Sequence, residues 1–222
     1  MHRISLLFIL LTFSLSHFGQ EARQQKISFG IKAGPGMTKF NMKQIESGYK
    51  PRAEWRLSYH AGIFARIPVA AGGKFAIQPE VLYSRNGARI SETYTSIDYI
   101  TGWPVSNLRV FKQLINYINI PLMLQFGSNS GVYAEAGPQM SFMINAKQKG
   151  PDDQEYDQSE QRNKQDIGWG FGAGHVSKKG FAFGFRYNQG IKDVVKEGFA
   201  VNGRELRNAS IFLHMRWFIP FR

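Results

Sequence analysis

His175 and Ser177 stand two residues apart in the run His175-Val176-Ser177. On an extended strand, where side chains alternate, both would leave the same face. A base beside a hydroxyl is the arrangement that activates a nucleophile, and a His-x-Ser pair serves some barrel enzymes that act on lipid A acyl chains. Ser58 and His60 repeat the spacing, and His214 is a further imidazole. No Asp accompanies them on their own segments, so spacing alone assembles no triad. Asp152, Asp153, Glu155 and Asp157 form an acidic run that could in principle hold calcium. It lacks the glycine and closing glutamate of an EF-hand loop, and Lys147, Lys149, Arg162 and Lys164 flank it, so a solvated, mobile loop is expected. Gly168, Gly170, Gly172 and Gly174 recur at every second residue. That is not the G-x-G-x-x-G turn of a dinucleotide site, and no helical pattern follows. The chain has no cysteine, which removes both a disulfide framework and a lipoprotein anchor. No catalytic, cofactor-binding or metal-ligating set emerges.

The charges at Lys32, Arg66, Glu80, Glu135, Arg186 and Arg216 are more informative, because each falls on the polar face of a segment whose other face is apolar. Counted from the ends of those segments, Lys32, Glu80, Arg186 and Arg216 share one depth, with Glu135 and Arg66 nearer one end. If these faces converge on a common interior, the charges must pair and hydrogen-bond there, because isolated buried ions are strongly unfavourable. The expected result is a filled polar core rather than an open path. His60, Gln78, Gln139, Asn188 and His214 would join it.

The segments that position these residues are strands. Ile27, Phe29, Ile31 and Ala33 alternate with Ser28, Gly30, Lys32 and Gly34, a period of two. The same pattern recurs over 57–68, 74–90, up to Phe126, 132–145, 167–174, 181–188 and 209–221, eight segments in all. Phe64 and Leu82 interrupt the polar faces of the second and third. The connections alternate: 69–73, 127–131 and 177–180 are tight and glycine-bearing, whereas 41–56, 91–109, 147–165 and 192–207 are long and polar. Short turns alternating with long loops is the layout of an all-β, antiparallel, up-and-down transmembrane β-barrel of about eight strands. An even strand number would place both termini in the periplasm. A soluble barrel of the lipocalin type is the rival. Against it stand polar faces rich in glycine and small residues, which suit a crowded lumen, and opposite faces carrying Trp169, Phe181, Phe183, Phe185 and Trp217.

Arg3 followed by the apolar run 4–15 and the small and polar residues 16–20 reads as a secretory signal peptide, roughly residues 1–20. The run is shorter than the roughly 20 residues of a spanning helix. Residues 21–222 then form one domain. A net charge of +12 and a pI near 10.0 would ordinarily suggest nucleic acid. Export removes that partner, and the phosphates of outer-membrane lipid, including lipopolysaccharide, replace it.

Five stretches carry a resemblance: FGIKAGPGMTKF (29–40), FAIQPEVLYSRNGARI (75–90), INYINIPLMLQF (115–126), GVYAEAGPQMSFMINAK (131–147) and GFAFGFRYNQGIKDV (180–194). In order and content they resemble the PorT-like outer-membrane β-barrel family of Bacteroidetes. Gln78-Pro79-Glu80, Ile120-Pro121-Leu122 and Glu135-Ala136-Gly137-Pro138-Gln139 stand where that family has similar runs. The resemblance implies an outer-membrane barrel with no catalytic residues to carry over. Its namesake's link with protein secretion implies envelope or secretion-system partners. The chain departs from many such barrels in ending with Arg222 after Phe221 rather than with an aromatic residue.

Overall fold

The computed structural model describes residues 26–43, 52–152, 154–177, 179–197 and 205–219. The expected signal segment, the end of the chain from Pro220 and the middle of two long connections lie outside the described residues. Ten strands are present among the described residues: β1 (Ser28–Lys43), β2 (Arg52–Glu54), β3 (Arg56–Ala70), β4 (Phe75–Ile97), β5 (Pro104–Gly127), β6 (Val132–Lys149), β7 (Glu155–Asp157), β8 (Gln165–Val176), β9 (Phe181–Gly190) and β10 (Glu205–Ile219). Eight of them close a ring of antiparallel neighbours in the order β4-β3-β1-β10-β9-β8-β6-β5, with β5 returning to β4. The short strands β2 and β7 lie off the ring, on β4 and β6. First and last strands meet from Phe29↔Ile219 to Lys43↔Glu205, so no edge is left open.

Three tight turns mark one end of the ring. Gly72, Gly73, Gly131 and Gly180 adopt φ of 63°, 88°, 89° and 82° there, a left-handed backbone that glycine takes without steric cost. Ser128 N–H donates to the Val132 carbonyl at 2.7 Å, and Ser177 N–H to that of Phe181 at 2.6 Å. Ser28 and Ile219 also lie at this end, opposite Arg66 and Phe29 respectively.

The other end is built differently from the expected polar loops. Pairing of β4 with β5 continues as far as Ile97↔Pro104, so most of 91–109 is strand. The β5–β6 ladder stops at Lys112↔Lys149 and β2 reaches only Ser91. Residues 92–97 and 104–109 therefore pair only with each other, a two-stranded ribbon extending about 20 Å at 3.3 Å per residue. The connection read as a solvated, mobile loop at 147–165 holds β7, paired to β6, and a turn of 3-10 helix at Ser159–Gln161. Its Arg162 is buried, with Nη2 on Gln113 Oε1 at 2.9 Å.

Five ring strands carry an internal proline; Pro68 of β3 stands at a register shift, and in each of the other four strands a proline coincides with a two-residue gap in a ladder. Pairing between β1 and β10 skips from Ala33↔Met215 to Gly36↔Phe212 around Pro35. Similar gaps fall at Pro79 between β3 and β4, at Pro121 between β4 and β5, and at Pro138 between β5 and β6. Proline has no N–H to give to a ladder.

Side chains alternate along the ring strands, and the polar face is the inner one. Lys32, Gln78, Glu80, Glu135, Arg186, His214 and Arg216 are buried, while Ile31, Ile63, Val81, Leu124, Phe183, Phe185 and Met215 are exposed. This is the inverse of a lipocalin-type barrel in water. Phe64 and Leu82 are buried inside the ring among the polar groups. One alternation fails: the β5–β6 register shifts at Asn116/Tyr117, and this bulge turns Ala146 inward. Asn145, which simple alternation puts on the inner face, instead accepts a hydrogen bond from Asn116 Nδ2 at 2.8 Å.

Candidate functional site

The interior is stratified along the barrel axis. At mid-height Glu80, from β4, accepts Arg186 Nη1 and Nη2 at 2.8 and 2.7 Å, Lys32 Nζ at 3.3 Å and Gln78 Nε2 at 2.5 Å. Glu135, from β6, accepts Arg186 Nε at 2.7 Å and Gln125 Nε2 at 2.8 Å. Arg186 thus bridges two carboxylates with a planar fork that suits bidentate pairing. Arg216 donates through Nη1 to Gln78 Oε1 at 2.8 Å and lies 4.2 Å over the ring of Tyr133. Five of the six charges singled out in the sequence meet in this cluster. Arg66 does not join it: half-buried at the short-turn end, it donates to the Gly73 carbonyl at 2.7 Å.

Beside the cluster lie His60 and His214, their ring centroids 6.0 Å apart. His60 stacks on Phe212 at 4.3 Å, and His214 Nε2 meets Tyr133 Oη at 3.2 Å. Ser58 Oγ donates to the Arg85 carbonyl rather than to an imidazole. Towards the long connections follows a layer of amides and hydroxyls that also holds the buried Asp166, whose Oδ2 accepts Asn208 Nδ2 at 2.8 Å. Asn119 Nδ2 donates to Ser84 Oγ at 2.7 Å, Gln139 Nε2 to Ser141 Oγ at 3.0 Å, and Asn188 Nδ2 to Ser210 Oγ at 3.1 Å.

An apolar stopper closes that end, a feature the sequence reading missed. Phe40, Ile90, Ile115, Tyr117, Ala146 and Leu206 point inward from the strands and surround Val194, from the β9–β10 connection. Val194 is held there by its N–H on the Leu206 carbonyl at 2.7 Å and by its carbonyl, which accepts Asn163 N–H at 2.9 Å. A signal was present in the inward alternation of Ala88, Ile90 and Ile115. It was masked by the rule that apolar residues face outward.

The remaining candidates are not assembled into reactive sites. His175 Nε2 pairs with the Ser130 carbonyl at 3.1 Å, and its ring stacks on Phe183 at 5.6 Å; Ser177 Oγ accepts Lys179 N–H at 3.4 Å. Of the acidic run, Glu155 pairs with Lys147 at 2.9 Å, and Asp157 Oδ1 accepts Ser159 N–H at 2.7 Å. Both are exposed, and these partners hold their carboxyls below the usual range. Among the described residues no group of three or more His, Asp or Glu side chains could hold a metal ion. Asp153 lies outside the described residues.

The outer surface completes the site's setting. Apolar side chains cover the ring strands, far more contiguous apolar area than the few hundred Å² a water-soluble monomer tolerates. Aromatic pairs gather at the short-turn end, Phe75 on Phe126 at 4.8 Å and Phe181 on Trp217 at 5.1 Å, as at a membrane interface. An eight-stranded ring with lipid-compatible walls and a charged, hydrogen-bonded interior defines an integral membrane β-barrel. The profile of the outer membrane protein beta-barrel domain family matches residues 18–196, and the chain belongs to that family. Its place is the outer membrane.

Similar solved structures include Ail, the attachment invasion locus protein of Yersinia pestis, at 12% identity and a TM-score of 0.46, covering 88% of this chain and 100% of that one. Neisserial surface protein A is 15% identical with a TM-score of 0.44, covering 87% and 99%. OprG of Pseudomonas aeruginosa is 11% identical with a TM-score of 0.42, covering 87% and 96%. No curated protein matches the sequence.

Proposed function

We propose that this protein is a non-conducting outer-membrane barrel that binds an envelope or secretion-system protein through its long-connection end. That end would face outward, with the short turns and both termini in the periplasm and residues 1–20 serving as the export signal. The observation that carries the reading is the combination of a doubly closed interior with a projecting ribbon. Among the described residues the charge cluster and the Val194 stopper fill the interior at two heights, which supports a working surface outside the barrel. The β4–β5 ribbon exposes Ile97, Tyr99, Ile100, Trp103 and Leu108, with Tyr99 102% and Ile100 96% accessible. Trp and Tyr side chains are the usual anchors of protein contacts. The PorT-like resemblance of the strands supports a secretion-related partner, and lipopolysaccharide is the expected lipid neighbour.

Three measurements test this. Purified protein in planar bilayers should show no stable open state; a steady, high-conductance channel would refute the closed interior. Epitope tags at Tyr99 and Gln158 should be reached on intact cells and tags at Gly73 and Ser130 should not. Gentle detergent extraction should then recover a protein partner that a Tyr99→Ser/Ile100→Ser/Trp103→Ser variant fails to retain. A partner held equally by that variant would remove the ribbon from the proposal.

A further inference from the structure

The mid-barrel cluster is not electrically balanced. Lys32, Arg186 and Arg216 are enclosed with Glu80 and Glu135 as the carboxylates of that layer among the described residues. The imbalance settles on Arg216. Its Nη1 is on Gln78, Glu135 Oε2 stands 3.9 Å away, and its Nε and Nη2 meet no hydrogen-bond acceptor among the described residues although the side chain is 1% exposed. A guanidinium cannot shed its proton to escape burial. Positive charge in a low-dielectric interior therefore favours an anion nearby.

The structure offers a place for one. A cavity of about 390 Å³ opens among the three tight turns, lined by Arg66, Lys74, Gln125, Ser128, Tyr133 and Phe218 among others, with no carboxylate among the described residues of its wall. Phe218 is two residues beyond Arg216 on the same inward face of β10, and Tyr133 is the ring on which the Arg216 guanidinium rests. Arg216 thus lies one layer beneath the cavity, behind Tyr133 and Gln125, while Arg66 and Lys74 stand at the cavity itself. Arg66 is also near enough for the Arg216 charge to act on it.

We propose that this cavity binds an oxyanion of the phosphate class, contacted by Arg66 and Lys74 and favoured by the positive charge of Arg216 beneath. The volume admits a phosphate with an organic group attached, so the anion can come from the aqueous phase or from a phospholipid headgroup beside the turns. This site is independent of the β4–β5 ribbon.

The test uses the full barrel in a neutral maltoside detergent, titrated with inorganic phosphate at constant ionic strength against chloride and read by calorimetry. In a parallel arm it is reconstituted in phosphatidylcholine vesicles with and without phosphatidylglycerol, and retained lipid is read by native mass spectrometry. Saturable phosphate binding that weakens at least tenfold in Arg66→Gln and Lys74→Gln supports a soluble oxyanion. Retention of phosphatidylglycerol, lost in the same variants, with little phosphate binding, supports the headgroup. Heat-dependent gel migration confirms that each variant is folded, and Lys74, on a turn, is the safer of the two. If neither ligand binds more strongly than chloride or phosphatidylcholine, or binding persists in the double variant, the proposal is wrong.

Discussion

Replacing Glu80 by alanine removes the anion that most of the interior is built around. The carboxylate accepts two N–H groups of Arg186, the Lys32 ammonium and the Gln78 amide. Arg186 would still hold Glu135, so the loss falls chiefly on Lys32, whose one ion pair among the described residues is with Glu80. Truncating one partner of a buried pair costs about 3–5 kcal/mol, because the survivor stays buried and uncompensated. Glu80→Ala also raises the positive excess of the cluster by one unit, whereas Lys32→Met/Glu80→Gln leaves it at the wild-type value. The double variant should therefore recover much of the loss. The assay is urea unfolding in lipid vesicles, followed by fluorescence of the four tryptophans and by heat-dependent gel migration. A Glu80→Ala protein within about 0.5 kcal/mol of wild type, or a double variant no better than the single, would refute the view that this pairing holds the interior together.

Phe183→Arg should cost about 2–4 kcal/mol in the same unfolding assay, since Phe183 is 62% exposed on the lipid face, whereas Leu108→Arg on the ribbon should stay within about 0.5 kcal/mol. Equal effects would mean that the two positions share one environment. Gly184→Ala should destabilise by about 1–3 kcal/mol, because the added Cβ would press on Tyr133 Oη and come within 2.7 Å of the Ala173 carbonyl. A fully stable Gly184→Ala barrel would show that β9 and Tyr133 can move apart freely.

The alternating faces of Lys32, Glu80, Arg186 and Arg216 were readable because lipid on one side and a polar interior on the other impose a period of two on every ring strand. The same logic failed where that contrast ends. Residues 92–97 alternate weakly because neither face of the ribbon is buried, so a strand resembled a loop. Phe40, Ile90 and Ile115 face inward against the prevailing polarity because the stopper excludes water from that end. Val194 arrives from a connection, and no periodicity reports a residue that folds back over the barrel mouth. Asn145 was misassigned because a bulge moves faces by one residue without a mark in local composition. Which acid meets which base depends on strand tilt and register: Arg186 and Glu80 are 106 positions apart in sequence.

The ladder gaps at Pro35, Pro79, Pro121 and Pro138 bear on the chain before it is a barrel. An outer-membrane protein crosses an aqueous compartment unfolded, carrying strands apolar on alternate residues that can stack with copies of themselves. Cross-β stacking needs an unbroken row of N–H donors and is disfavoured by proline. One proline inside each of β1, β4, β5 and β6 breaks that row in half of the ring. The closed ring tolerates each break, because the flanking rungs persist on both sides of the gap. An intermolecular stack would repeat the same break in every copy, so the prolines act as gatekeepers against aggregation in transit.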